Sequence, residues 1–140
     1  FKYEVIYFYN VYGPRQISKG KMATVIGIFE ECYKKNKLIP VVKPGNQSRR
    51  FTHINDTINI CYLAWKNNLC RHYSISNKQQ FTIEQVAKMF GSKIRFLPKR
   101  EGERFASALT NISLSNKIYK HFGKIKLKDY IADFLKKHKK

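Results

Sequence analysis

Three observations predict an α/β fold for this chain. Strand-like and helix-like segments alternate along the 140 residues, the order that builds parallel sheets covered by helices. The run Glu4–Tyr9 is continuously aromatic and β-branched, as in a strand buried on both faces. The segment Lys21–Asn36 instead repeats apolar residues at the spacing of a one-sided helix. We therefore expect a mixed sheet of three or more strands with about five helices.

The first helix and its neighbouring strands are predicted from spacing and from two breaks. Gly13-Pro14 ends the first strand in a loop. The helix is expected to place five apolar residues in the core: Met22, Val25, Ile26, Phe29 and Cys32. A strand over Leu38–Val42 is turned back by Pro44-Gly45, and a second extended piece covers Arg50–Ile54.

The second helix, Thr57–Asn67, is expected to start at a cap formed by Asn55 or Asp56. Its apolar residues share one face, which predicts that this face is buried: Ile58, Cys61, Tyr62 and Trp65. An alternating strand over Arg71–Ser76 follows.

The third helix is predicted from a capping box that runs from Thr82 to Gln85, and it ends at Gly91 as a left-handed cap. A strand over Lys93–Leu97 follows and is ended by Pro98. Two further helices are predicted over Leu114–Phe122 and Leu127–Lys137. The last one is expected to bury Tyr130, Ile131 and Phe134.

The net charge of +19 suggests polyanionic partners, and nucleic acid is the first to consider. The lysines, however, are spread along the whole chain. No apolar run approaches the roughly 20 residues of a membrane span, so we expect no membrane partner. The three cysteines show no metal-like pairing, which favours reduced thiols in a cytoplasmic protein.

The sequence offers no recognisable catalytic centre or metal site. Its four histidines fall in no ligand spacing, and it contains no G-x-S-x-G, P-loop or G-x-G-x-x-G. It does bring arginines from three loops: Arg15, Arg49 with Arg50, and Arg100 with Arg104. Converging arginine forks would clamp a pyrophosphate; the alternative is surface ion pairing with Glu101 and Glu103.

Four segments resemble one enzyme family, in the right order. Tyr7–Gln16 resembles the R-Y-F-N-V-Y-G-P-R-Q segment of the nucleotide-sugar epimerases and dehydratases, which are extended short-chain dehydrogenase/reductases and include the UDP-sugar 4-epimerases. Met22–Phe29 fits the helix that follows in that family. Lys43–Thr57 resembles its G-x-G-x-Q-x-R-D-F-x-x-V-x-D segment, and Arg100–Glu103 its R-x-G-(D/E) motif.

The resemblance covers only the family's carboxyl-terminal half. In that family the amino-terminal half is a Rossmann domain with the NAD loop and a catalytic Tyr-x-x-x-Lys, and neither motif occurs here. The chain also begins at Phe1, inside an apparent core strand. We therefore expect residues 1–140 to be the substrate-binding part, with NAD bound mainly by the absent half, and this part alone to be inactive.

The resemblance implies roles for individual residues. Asn10 matches an asparagine that contacts the substrate near the diphosphate, and Arg49 and Arg100 match two arginines that bind the diphosphate. Glu103 matches an acidic residue near the ribose, and Val42 lies on the strand that lines the nucleoside pocket. Arg50 stands where the family keeps an aspartate, which leaves open which of the two adjacent arginines faces the substrate.

The function implied is an NAD-dependent epimerase, most similar to UDP-sugar 4-epimerases, acting on a nucleotide-sugar for surface polysaccharide. In such enzymes C4 is oxidised to a ketone, and hydride returns to its other face. A dehydratase or decarboxylase of the same superfamily is the nearest alternative, and a basic nucleic-acid-binding module is the alternative of another class. A cytoplasmic location and a homodimer are compatible with this function.

Overall fold

A computed structural model describes residues 1–99 and 118–139. In this part of the chain nine strands and four helices follow one another. The strands are β1 (Val5–Phe8), β2 (Val11–Tyr12), β3 (Ile39–Val42), β4 (Ser48–Arg49), β5 (Thr52–His53), β6 (His72–Ser76), β7 (Phe81–Thr82), β8 (Ile94–Leu97) and β9 (Ile118–Phe122). The helices are α1 (Val25–Lys34), α2 (Ile54–Asn67), α3 (Ile83–Met89) and α4 (Leu127–Lys137).

The predicted α/β class is confirmed, and parallel pairing dominates. A three-stranded parallel sheet has the order β1-β6-β9. The pairs β2–β5 and β3–β8 are also parallel, whereas β4 and β7 run antiparallel. These small sheets bring the turn after β3, the corner at β4 and the start of α3 together.

The main core is aromatic and lies among α1, α3, α4 and strand β3. The Phe90 ring packs edge-on against Phe29 at 5.9 Å between centroids and against Phe134 at 6.0 Å. Ile39 and Val41 of β3 complete this cluster from the sheet side. A second, smaller cluster lies between α2 and β6: Ile60, Ala64, Tyr73 and Ile75.

The predictions that depend on neighbouring residues, such as the start and end of α3, are confirmed. The Thr82 hydroxyl accepts from the Gln85 amide, and the Gln85 side chain accepts from the Thr82 amide, which completes the capping box of α3. Gly91 follows that helix with φ of +66°. Ile131 and Phe134 of α4 are buried as expected, and the three cysteines are free thiols.

The predicted helix over Leu114–Phe122 is wrong in the part that the structure describes. Residues 118–122 form β9, which pairs in parallel with β6. The segment is rich in β-branched and aromatic residues, which fit a pleated surface. The residues of this segment are compatible with a helix or a strand, and pairing with the distant β6 favours the strand. Residues 114–117 lie outside the described residues.

The predictions for α2 are wrong in its cap and in its buried face. The helix begins at Ile54, and His53 caps it by accepting the Asn55 amide on Nδ1 at 3.2 Å. The helix instead buries Asp56, Thr57, Ile60 and Ala64. Ile60 and Ala64 pack against β6, which turns the predicted set away from the sheet: Ile58, Tyr62 and Trp65 are exposed, and Cys61 is half-buried.

Three expectations at the start of the chain and at the β4 corner are also corrected. Met22 is 77% exposed, not in the core, because α1 begins only at Val25 after its Thr24 cap. Strand β1 is half-buried rather than buried on both faces, and Phe8 is exposed. Of the extended piece expected over Arg50–Ile54, only Thr52–His53 forms a strand, β5, and Ile54 already begins α2.

Gly27 is predicted to be the residue of α1 that tolerates alanine least. A Cβ there would lie 2.5 Å from the Ile17 carbonyl oxygen and 2.9 Å from the Thr24 hydroxyl that caps the helix. Gly27→Ala is therefore expected to lower the free energy of unfolding by about 1–3 kcal/mol, measured by urea denaturation. Helix propensity alone favours alanine by roughly 1 kcal/mol, so a stabilised variant would contradict this packing account.

Candidate functional site

A cavity of about 390 Å³ opens between the start of α1, strand β3 and the residues around β4, from Gln47 to Phe51. Apolar side chains form most of its wall: Val11, Ala23, Val25, Ile26, Ile28, Phe29, Pro40, Val42, Phe51, Ile83 and Leu97. Four polar side chains complete it: Asn10, Thr24, Gln47 and Arg49. Arg49 is the one ionisable side chain in this lining, so among the described residues the cavity carries positive charge without a carboxylate.

The structure distinguishes the two adjacent arginines. Arg49 lies on β4 and lines the cavity, with one guanidinium nitrogen donating to the Ser48 carbonyl at 2.8 Å. Arg50 turns away and donates to the backbone carbonyls of Asn77, at 3.0 Å, and Lys78. Arg50, which stands where the family keeps an aspartate, therefore anchors the loop after β6. Arg49 faces the cavity.

Asn10 joins this corner to the end of the first strand. Its backbone is left-handed, with φ of +40°, and its side-chain amide donates to the Arg50 carbonyl at 3.1 Å. The Asn10 carbonyl accepts from the Thr52 amide at 3.3 Å. The side chain therefore reaches across the chain instead of capping its own turn, and it borders the cavity beside Arg49.

Three of the five predicted site residues meet in one place: Asn10, Val42 and Arg49 line the same cavity. The other two, Arg100 and Glu103, lie outside the described residues. Arg15 does not join them, because it lines a separate cleft between α1 and α4 with Glu30, Lys34 and Lys137. A clamp that includes the Arg15 loop is therefore not formed.

The amino end of α1 adds a second source of positive potential. Ala23, Thr24, Val25 and Ile26 all line the cavity, so the first turn of the helix faces it. Thr24 accepts the Gly27 amide at 3.0 Å and donates to Gln16 Oε1 at 2.9 Å. The amides at the start of a helix have no acceptor within it, and they favour an anion together with the helix dipole. The helix end and Arg49 thus favour a negatively charged ligand.

Sequence reasoning missed several cavity residues, most notably Thr24 and Gln47. The signal for Thr24 is its residue type, since threonine directly before a run of helical residues commonly caps the helix. Gln47 is uncharged and follows the Pro44-Gly45 turn, and its direction depends on that turn. Gly45 adopts φ of +82°, and a Cβ there would lie 3.0 Å from Val41 Cγ1.

The described residues contain no group of three or more His, Cys, Asp or Glu side chains placed to hold a metal ion. None of the described helices is both long and apolar enough to cross a bilayer. The arrangement instead suits recognition of an anionic ligand with an apolar or flat portion.

His53 is expected to make the protein less stable in acid. Burial lowers the pKa of this histidine, and the nearby Asp56 opposes that shift only in part. The unfolded chain therefore binds its proton first, so stability is lost as the pH falls below about 6.5, the ordinary histidine value. His53→Asn keeps a capping side chain but cannot titrate.

We therefore expect the fall in Tm between about pH 7.5 and pH 5.5 to be smaller in His53→Asn than in the unmodified protein. The variant should also have a lower Tm at neutral pH, because the His53 ring packs against Tyr12 at 5.2 Å between centroids. Burial also lowers the pKa of His121. Because His121 is present in both proteins, its contribution to the acid loss is the same in each and does not affect the comparison. An equal acid loss in the two would contradict the assignment to His53.

Sequence comparison connects this chain with one family. A profile described as the NAD dependent epimerase/dehydratase family matches residues 1–77. A putative UDP-glucose 4-epimerase of Methanocaldococcus jannaschii is 31% identical over 110 residues, which are 73% of this chain and 35% of that protein. An ADP-L-glycero-D-manno-heptose-6-epimerase of Fusobacterium nucleatum is 32% identical over 69 residues, 44% of this chain and 21% of that protein.

Solved structures share the fold. The UDP-glucose 4-epimerase of Thermotoga maritima, determined with UDP-glucose, matches with a TM-score of 0.78 at 22% identity, over 97% of this chain and 46% of that one. The dTDP-glucose 4,6-dehydratase of Streptomyces venezuelae, with NAD and TYD bound, matches with a TM-score of 0.76 at 16% identity, over 96% and 44%. The chain thus spans less than half the length of these proteins.

Proposed function

Because this chain belongs to the NAD-dependent epimerase/dehydratase family, we propose that it binds the diphosphate of a nucleotide-sugar as part of a sugar epimerase. The observation that carries the proposal is the cavity in which Arg49 and the first turn of α1 face the same space. A planar guanidinium binds phosphate oxygens through two parallel hydrogen bonds, and a helix start supplies backbone donors. A UDP-sugar 4-epimerase that works through a 4-keto intermediate is the specific form we favour, supported by the Methanocaldococcus relative.

Each predicted residue has a part in this proposal. Arg49 binds the diphosphate, Asn10 contacts the substrate beside it, and Val42 borders the nucleoside. Arg100 is proposed as a second diphosphate ligand, and Glu103 as the acidic residue near the ribose. By holding the remote diphosphate, such contacts leave the sugar free to turn between the two hydride transfers.

The sequence lacks the glycine fingerprint by which a dinucleotide is usually bound. A dinucleotide loop needs three glycines within six residues at a strand-to-helix turn. Gly13 follows β2, but the next glycine is Gly20, and no such loop occurs in the sequence. We propose that NAD is bound mainly by an amino-terminal half like that of the family, and that residues 1–140 form the substrate-binding part, inactive alone. The relatives, of which this chain covers less than half, support this view.

The experiment that tests the function is a product assay. The protein with its complete polypeptide is incubated with NAD and UDP-glucose, and the sugar is followed by NMR. A 4-epimerase converts it to UDP-galactose, with no loss of water. A 4-keto-6-deoxy product would instead identify the dehydratase alternative. Absence of both conversion and UDP binding would contradict the proposal.

The basic charge also motivates a measurement with nucleic acid. A nucleic-acid-binding module would bind DNA or RNA tightly, with an affinity that falls steeply as salt rises. We expect no such binding at physiological ionic strength. We propose a cytoplasmic enzyme of polysaccharide sugar synthesis, and a homodimer is compatible with that role. The family membership supports this enzyme role, whereas the net charge alone would suggest nucleic-acid binding.

A further inference from the structure

Gln47 holds a buried amide in the wall of the cavity. It is 1% exposed, and its Nε2 donates to the Val42 carbonyl at 3.3 Å. The backbone carbonyl of Gln47 accepts from the Ile83 amide at 3.0 Å, at the start of α3. The residue is therefore fixed between β3 and α3, two positions before Arg49.

The other end of this amide lacks a partner. Gln47 Oε1 is buried and accepts no hydrogen bond. An unpaired buried acceptor is costly, so such a group in a cavity wall points to a donor on the ligand.

The surroundings of Gln47 indicate which part of a ligand it meets. Pro40 and Val42 of β3 and Leu97 of β8 form an apolar wall beside it. A flat base suits that wall, while the phosphates belong with Arg49 and the start of α1. The contact to Val42 also fixes the amide so that nitrogen points to the strand and oxygen is the group left for the base.

We propose that Gln47 selects the base of the nucleotide, accepting a hydrogen bond on Oε1 from the ring N3–H of uracil or thymine. This role rests on the proposed function of the cavity. Cytosine presents a lone pair at the same ring position, so two acceptors would face each other. A site built to pair with a donor rejects an analogue without it, because its own buried group is then left unsatisfied.

Titration of UDP and of CDP by calorimetry tests this role in the protein with its complete polypeptide. The unmodified protein is expected to bind UDP at least about tenfold more tightly than CDP. Gln47→Met keeps the size of the side chain and removes the acceptor. It should weaken UDP binding about tenfold and leave CDP binding unchanged, so that the preference disappears. Gln80→Met, a change at an exposed glutamine outside the cavity, should keep the preference.

The same titrations separate the two proposals. If Gln47→Met keeps the preference for UDP, or loses UDP and CDP binding equally, Gln47 does not select the base and its role is only structural. In both cases Arg49→Ala still tests the diphosphate site independently. If the unmodified protein binds neither nucleotide, the proposed function fails, and the role of Gln47 fails with it.

Discussion

Replacing Arg49 with alanine is expected to weaken UDP binding about a hundredfold. The guanidinium is the one charged side chain in the described lining of the cavity, so no neighbour there replaces it. A hydrogen bond to a charged group contributes about 1.5–3 kcal/mol, and 2.7 kcal/mol corresponds to about a hundredfold change in Kd. The amide groups at the start of α1 remain, so some affinity for the diphosphate should persist.

Calorimetry on the complete protein measures this effect. Arg95→Ala is the matched control, because Arg95 is an exposed arginine on β8 and lies outside the cavity lining. It removes the same net charge and should change the Kd for UDP less than about twofold. Arg49→Lys should retain only part of the affinity, since lysine lacks the planar fork. Equal Kd values for Arg49→Ala and Arg95→Ala would show that general charge attracts the nucleotide, and the site assignment would fail.

Phe90→Ala is expected to lower the free energy of unfolding by about 3–5 kcal/mol. The ring is 2% exposed and packs against Phe29, Tyr33 and Phe134, so its removal opens a cavity between three helices. Urea denaturation measures the change, and a small domain stable by about 5–15 kcal/mol would lose much of its stability.

The control for Phe90 is another phenylalanine. Phe96 lies on β8 and is 44% exposed, so Phe96→Ala removes the same atoms from a site that is partly in water already. We expect it to cost about 1 kcal/mol. A similar cost for both substitutions would contradict the position of Phe90 at the centre of the core.

Elements governed by neighbouring residues were predictable, and those governed by distant partners were not. The capping box of α3 and the left-handed Gly91 each depend on a few adjacent residues. Strand β9 depends instead on pairing with β6, more than forty residues earlier in the chain. The buried face of α2 likewise depends on how closely the helix approaches β6, which apolar spacing does not reveal.

The candidate site shows the same division. The resemblance to the family located Asn10, Val42 and Arg49, and all three border the cavity. The direction of Arg50 was beyond the sequence, because its acceptors are carbonyls of Asn77 and Lys78 that only the fold brings near. Gln47 was missed because the sequence gives no sign of an amide buried with one end unpaired.

The contacts of Arg50 make the two neighbouring guanidinium groups respond differently to ionic strength. Arg50 donates to two peptide carbonyls, which are dipoles in direct contact with it and not opposing charges across water. Dissolved salt screens attraction between exposed charges far more than it weakens such short contacts. Concentrated salt should therefore release a diphosphate from Arg49 while the loop after β6 stays attached, so loss of ligand and loss of structure would occur at different salt concentrations.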